Sequence, residues 1–279
     1  MQIGLALGGG AARGMAHLGV LKVLEQNGIY VDMVAGTSAG AMTGTIYASG
    51  MTADQAVESF KTDLKVPWAF RCLPAGGYWY LMYKYRRRQF DPMLRKYLGD
   101  NRQEQLPLPM LTVTVDLVSG EPVVRETGDA TRNILESINL PGLSSPIIGE
   151  GKALVDGGLV NNIPADVLVG KGCNFVLASS VTAKLEREFV GIKPDEPMQK
   201  HASPSFLKVL MRGYLVQSYN MNGIGVQPAD LVIEPDVTEF DLSEFERADE
   251  MAVVGEEAAV GSLDQIKRLL SRLDPQLFN

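Results

Sequence analysis

The chain has 279 residues, 46% apolar and 21% charged, with a formal net charge of -7. These proportions are those of a globular fold with one sizeable core, which argues against a disordered or membrane-embedded chain, and the acidic balance excludes a phosphate backbone as partner. Cys72 and Cys173 form no CxxC or Cys/His pattern and Met1 to Leu5 carries no basic leader, so a metal site, a disulfide framework and a secretory signal are not expected, and a cytoplasmic location is.

Ile3 to Leu7 is a short apolar run that stops at Gly8-Gly9-Gly10, as a buried parallel strand does before a tight turn. From Arg13 the period changes: Met15, Leu18, Leu21, Val23 and Leu24 give a helical face, and Asn27-Gly28 supplies a left-handed stop. The unit then repeats, with Met33-Val34-Ala35 ending at Gly36 and a small-residue helix from Ala39 to Ser49 ending at Gly50. Met33 to Ala53 has no charged residue, but its Gly, Ser and Thr content fits a buried turn and helix better than a membrane span.

Trp68 to Tyr97 has another character: seven Lys/Arg against Asp91, a net charge of +6, and nine of the chain's twenty aromatics. Beyond it, strands are predicted over Leu111 to Val115, Val123 to Arg125, Ala153 to Val155, Phe175 to Val181 and Leu231 to Ile233. Helices are predicted over Ala130 to Ile138, Ala165 to Val169, Phe206 to Met221 and Ser243 to Leu270, the last with Gly255 and Gly261 as bends. Lys184 to Pro204 reads as a long surface loop. Alternating strands and helices predict an α/β fold with a mainly parallel central sheet covered on both faces, filled by one domain over residues 1–279.

Three motifs carry chemistry. Gly36-Thr37-Ser38-Ala39-Gly40 lies between a strand and a helix, the context of a nucleophile elbow, where Gly36 and Gly40 permit a sharp turn that presents Ser38 Oγ at the sheet edge. A serine needs a base, yet the chain has two histidines only. His17 sits in the first helix and reads as structural; His201, in the proline-rich loop, stays open as a base. So does Asp156, at a strand end before the sharp turn of Gly157-Gly158, although Asp-Gly-Gly is equally a plain β-turn. Gly8-Gly9-Gly10-Ala11-Ala12-Arg13-Gly14 exposes backbone N–H groups beside a helix start and suits an anion or an oxyanion. It lacks the lysine of a P-loop, with Met15 after Gly14, and it has Arg13 where a dinucleotide fingerprint needs its third glycine.

In this order, GGGAARG, GTSAG and DGG resemble the patatin-like phospholipases and the catalytic domains of neuropathy target esterases, over Gly4 to about Asn162 and less closely beyond. The resemblance implies a three-layer α/β/α patatin-like fold and a Ser-Asp dyad with no cofactor or metal. Ser38 takes the place of the nucleophile and Asp156 that of its base. Gly8, Gly9 and Gly10, with Arg13 and Gly14, take the place of the oxyanion loop, and His17 falls on a non-catalytic position. The implied activity is hydrolysis of phospholipid or lysophospholipid esters. An acyltransferase using the same acyl-serine and a non-hydrolytic acyl-ligand-binding protein are the alternatives. Residues 67–100 are then expected to form a cap, whose aromatics and Arg86-Arg87-Arg88 either meet a lipid headgroup layer or are buried and solvated respectively. Nothing in the sequence sets the oligomeric state.

Overall fold

The computed structural model describes residues 1–65, 78, 81, 84–182, 185, 188–194, 203–204 and 206–277. Its strands are β1 (Ile3–Leu7), β2 (Met33–Thr37), β3 (Met110–Asp116), β4 (Pro122–Arg125), β5 (Ile147–Gly149), β6 (Lys152–Asp156), β7 (Phe175–Ser179) and β8 (Leu231–Ile233). Its helices are α1 (Ala16–Gln26), α2 (Ala39–Ala48), α3 (Ala53–Asp63), α4 (Arg86–Leu98), α5 (Ala130–Ser137), α6 (Ala165–Gly170), α7 (Phe206–Gly225) and α8 (Ala248–Leu273). The first glycine loop leads into a tight 3-10 turn, Ala11–Met15, before α1 starts, so the helix begins later than its apolar spacing from Met15 alone implies.

One mixed sheet organises the molecule, parallel in its centre and antiparallel at one side. β3, β2, β1, β7 and β8 lie side by side in parallel, while β4 and β6 pair β3 antiparallel and β5 pairs β6. Alternation along β1 shows the two faces. Leu5 and Leu7 enter the larger core with α1, α2, α3 and α8, whereas Ala6 faces a smaller core with Ile163, Leu168 and Val176 beside α6. The layers are therefore three, but unequal.

The charge-free stretch from Met33 to Ala53 becomes β2 and α2, and α2 is buried along nearly all its length, which is why it shows no amphipathic period. Helix α8 runs unbroken through Gly255 and Gly261. Gly255 allows close approach: a Cβ there would overlap the carbonyl of Ala16, and a Cβ at Gly19 would overlap that of Ala252, so α1 and α8 touch backbone to backbone. Helices α3 and α4, which the apolar pattern does not announce, join this layer, α3 opening on a capping box between Thr52 and Gln55.

The register of β3 explains the site. Thr112 and Val113 pair both β2 and β4, so those strands lie on opposite edges; Thr114 and Val115 pair both β4 and β6, so these do too. Strands β2 and β6 therefore share one edge of β3. They run in opposite directions and end beside adjacent residues, Thr37 next to Val113 and Asp156 next to Thr114. Their C-terminal ends meet head to head.

Candidate active site

Ser38 follows β2 and caps α2 with φ 53 and ψ -117, a positive-φ conformation that a non-glycine residue holds only under constraint. Several contacts supply the constraint. The Ser38 N–H donates to Ser137 Oγ at 2.8 Å, and that hydroxyl donates to the Val113 carbonyl at 2.6 Å. Thr37 Oγ1 donates to the Asn161 carbonyl at 2.8 Å. A Cβ at Gly36 would overlap the Gly40 carbonyl, and one at Gly40 the Leu7 carbonyl, so both glycines of the elbow are required by close approach.

Asp156, the last residue of β6, is fully buried. Its backbone N–H donates to the Asn139 carbonyl at 2.9 Å. Oδ1 accepts from the Gly158 N–H at 2.8 Å and from Tyr214 Oη at 3.0 Å. Oδ2 has no hydrogen bond of ordinary geometry, although the Ser38 hydroxyl is close enough to favour the charged carboxylate, so the serine contact is loose. Burial pushes the carboxyl up to about 6, against the pull of Ser38, Gly158 and Tyr214. That places its proton equilibrium near neutrality, where a carboxylate is a competent base. Gly157 brings the turn against the Val113 carbonyl, and Gly158 leaves room for Tyr214 Oη.

The first glycine loop lies against the serine, since a Cβ at Gly9 would crowd the Ser38 Cβ and the Asn162 side chain. Its amides are not equivalent. The Gly8 N–H donates to the Ser179 carbonyl at 3.0 Å and the Gly9 N–H to the Asn162 carbonyl at 3.1 Å, so both hold the loop in place. The Gly10 N–H has no such partner among the described residues. Arg13 sends Nε to the Phe240 carbonyl at 2.8 Å, and Gly14 packs on Ala39 at the start of α2, so these two residues brace the loop.

His17 lies beneath the same loop, fully buried, with Nε2 donating to the Gly8 carbonyl at 2.8 Å and Nδ1 accepting from Ser179 Oγ at 2.9 Å. Burial holds its pKa down to about 4, so it is neutral and both nitrogens are committed to structure. His201 lies outside the described residues. Among those residues no group of three or more His, Cys, Asp or Glu side chains is placed to hold a metal ion, and no helix is long and apolar enough to cross a membrane.

Four residues of this site carry no motif. Ser137 and Asn139 close α5, Asn162 links Gly9 to Asn222 of α7, and Tyr214 reaches Asp156 from α7. Ser137 and Asn139 fall at the end of a helix that the sequence does announce, but nothing in their spacing marks them. The basic aromatic segment is described only in part. At its C-terminal end Arg95 pairs with Asp129 at 2.7 Å, Lys96 pairs with Asp63 at 2.9 Å and Phe90 is buried, as in an ordinary packed helix. Trp68 through Gly77 and Trp79 lie outside the described residues.

A family model described as patatin-like phospholipase matches residues 5–169 of the chain. An uncharacterized NTE family protein of Mycobacterium tuberculosis (strain ATCC 25618 / H37Rv) is 28% identical over 287 residues, covering 94% of this chain and 46% of that protein. The neuropathy target esterase sws of Drosophila melanogaster is 32% identical over 198 residues, 70% of this chain and 14% of its own length. The lysophospholipase NTE1 of Mycosarcoma maydis is 36% identical over 185 residues, 65% of this chain and 10% of its own. The chain thus spans about half the length of its mycobacterial relatives and less of the others. Among solved structures, VipD from Legionella pneumophila aligns with a TM-score of 0.49 at 13% identity, over 95% of this chain and 66% of that one.

Proposed function

The chain belongs to the patatin-like phospholipase family, and we propose that it is a serine acyl hydrolase that cleaves carboxylic esters of lysophospholipids or phospholipids. The observation that carries this reading is the head-to-head meeting of β2 and β6, which sets a serine on a strained turn against a fully buried carboxylate. Asp156 takes the proton of Ser38 as Oγ attacks the ester carbonyl; the alcohol leaves with a proton, and water then releases the acyl group by the reverse sequence of proton transfers. The developing oxyanion falls to the glycine loop, and of its three glycines Gly10 is the one whose N–H is not already committed to a protein carbonyl among the described residues. The N-terminus of α2, just beyond Ser38, adds favourable potential.

The test is hydrolysis of a lysophospholipid and of a soluble chromogenic ester by Ser38→Ala and Asp156→Asn. Each variant is expected to fold and to lose roughly 10³-fold or more in kcat/KM on both substrates. Full activity of either variant on the chromogenic ester rules out the dyad, and wild-type activity on that ester with none on any lipid rules out the substrate class.

A further inference from the structure

Helix α7 follows the long loop and begins 50 residues beyond Asp156, yet its inner face is laid along the base turn. Leu210 fills the space over Gly142, and Tyr214 packs on Leu140 and Leu143. One turn further, Gln217 Nε2 donates to the Leu159 carbonyl at 2.9 Å and Ser218 Oγ to the Gly158 carbonyl at 3.3 Å, and Asn222 Oδ1 accepts from Asn162 at 2.8 Å. Successive turns of one helix thus hold the segment from Leu140 to Asn162, and in the middle of that row the Tyr214 hydroxyl points at the carboxylate.

A carboxylate offers two oxygens, and a buried one rotates to whichever side is better solvated or bonded. Asp156 Oδ1 is held twice, by the Gly158 amide at 2.8 Å and by Tyr214 at 3.0 Å, while Oδ2 is buried without an ordinary hydrogen bond. The amide alone lies two residues along the same turn and fixes the group from one direction only. The phenol, coming from a separate helix, fixes the second direction.

We propose that Tyr214 is a positioning residue for the base: with the Gly158 amide it locks Oδ1, and so presents Oδ2 as the oxygen that receives the Ser38 proton. This rests on the reading of Asp156 as that base. Two consequences separate it from simple packing. Removing the hydroxyl frees the carboxylate to turn, so the proton transfer slows. It also removes a donor that stabilises the charged form, so the carboxyl, already high from burial, moves higher.

The experiment measures the rate at which a fluorophosphonate reagent labels Ser38, a reaction that needs no lipid, in wild type and Tyr214→Phe from about pH 5 to about pH 9. Phenylalanine keeps the ring contacts with Leu140 and Leu143. The acid limb of the profile is expected to move up by about one pH unit, and the alkaline plateau, where the carboxylate is ionised in both proteins, to fall roughly tenfold because the freed group is no longer aimed at Ser38. An unmoved acid limb, or an alkaline plateau equal to that of wild type, overturns the proposal. So does a variant whose melt shows that it does not fold, because Tyr214 then belongs to the framework. Asp156→Asn is run alongside: if it labels as fast as wild type, the base assignment itself fails, whereas a slow Asp156→Asn with an unshifted Tyr214→Phe profile defeats the tyrosine proposal alone.

Discussion

A buried carboxylate and a buried imidazole respond to pH in opposite senses, and Ser38 has one of each nearby. Asp156 is raised to about 6 from an ordinary 3.8. The folded state therefore holds the proton more tightly than the unfolded chain, and stability present at acid pH is lost as pH rises toward 6, by about 3 kcal/mol in all. His17 is lowered from 6.5 to about 4, so its contribution is present above 6.5 and lost as pH falls toward 4, again by about 3 kcal/mol. The two offset one another across that window. Asp156→Asn removes one side only: the variant should be more stable than wild type by up to about 3 kcal/mol near pH 8, equal to it near pH 4, and steeper in between. Urea melts at those two pH values check this. Activity has its own sign, because only the ionised carboxylate takes a proton: wild-type kcat/KM should fall as pH drops through about 6, read from a pH profile on a soluble ester.

At the scale of elements, backbone contact between α1 and α8 sets the thickness of the larger layer and hence the seat of the glycine loop, since α1 carries His17 beneath Gly8. A methyl group at Gly19 would meet the Ala252 carbonyl and the Glu256 nitrogen, both rigid, so Gly19→Ala should cost about 2 kcal/mol and lower Tm by roughly 4–8 °C. At Gly261, later in α8, nothing from the rest of the fold comes within 4 Å of where a methyl carbon would sit, so Gly261→Ala should instead stabilise by about 0.5–1 kcal/mol. Thermal melts of the pair distinguish a helix pinned by close approach from one bent at its glycines. The same reasoning applies to α5, whose buried Glu136 binds Arg125 and Arg132 at 3.0 Å each and so holds Ser137 and Asn139 where they meet the segments that carry Ser38 and Asp156.

Over the whole molecule the charge is uneven. A protein of net charge -7 carries +6 between Trp68 and Tyr97, and at the end of that segment Arg95 and Lys96 are already neutralised by Asp129 and Asp63. The segment also contains Arg86-Arg87-Arg88, at the start of α4. We propose this region as a peripheral contact with anionic lipid, worth on the order of 1 kcal/mol per arginine. Replacing the three arginines by glutamine should reduce sedimentation with anionic vesicles and hydrolysis of vesicle-borne phospholipid, and leave hydrolysis of a soluble ester unchanged. Vesicle binding that stays the same at low salt makes the segment an ordinary cap.

Much of the fold is legible in the sequence because it depends on neighbours along the chain. Short apolar runs mark β1, β2 and β7, a 3.6-residue apolar period marks α1, and glycine at Gly36, Gly40 and Gly157 marks backbone that must turn sharply or pass close to another strand. The candidates Ser38 and Asp156 come from that local grammar, and so does the structural place of His17. What the spacing does not contain is the edge of β3 on which β6 closes, antiparallel, against the end of β2. Nor does it show that Gly8 and Gly9 commit their amides to Ser179 and Asn162, or that a tyrosine 58 residues away reaches the carboxylate. These are long-range closures. Only the folded sheet brings the two strand ends together, and only its burial turns an ordinary aspartate into a group whose pKa lies near 6.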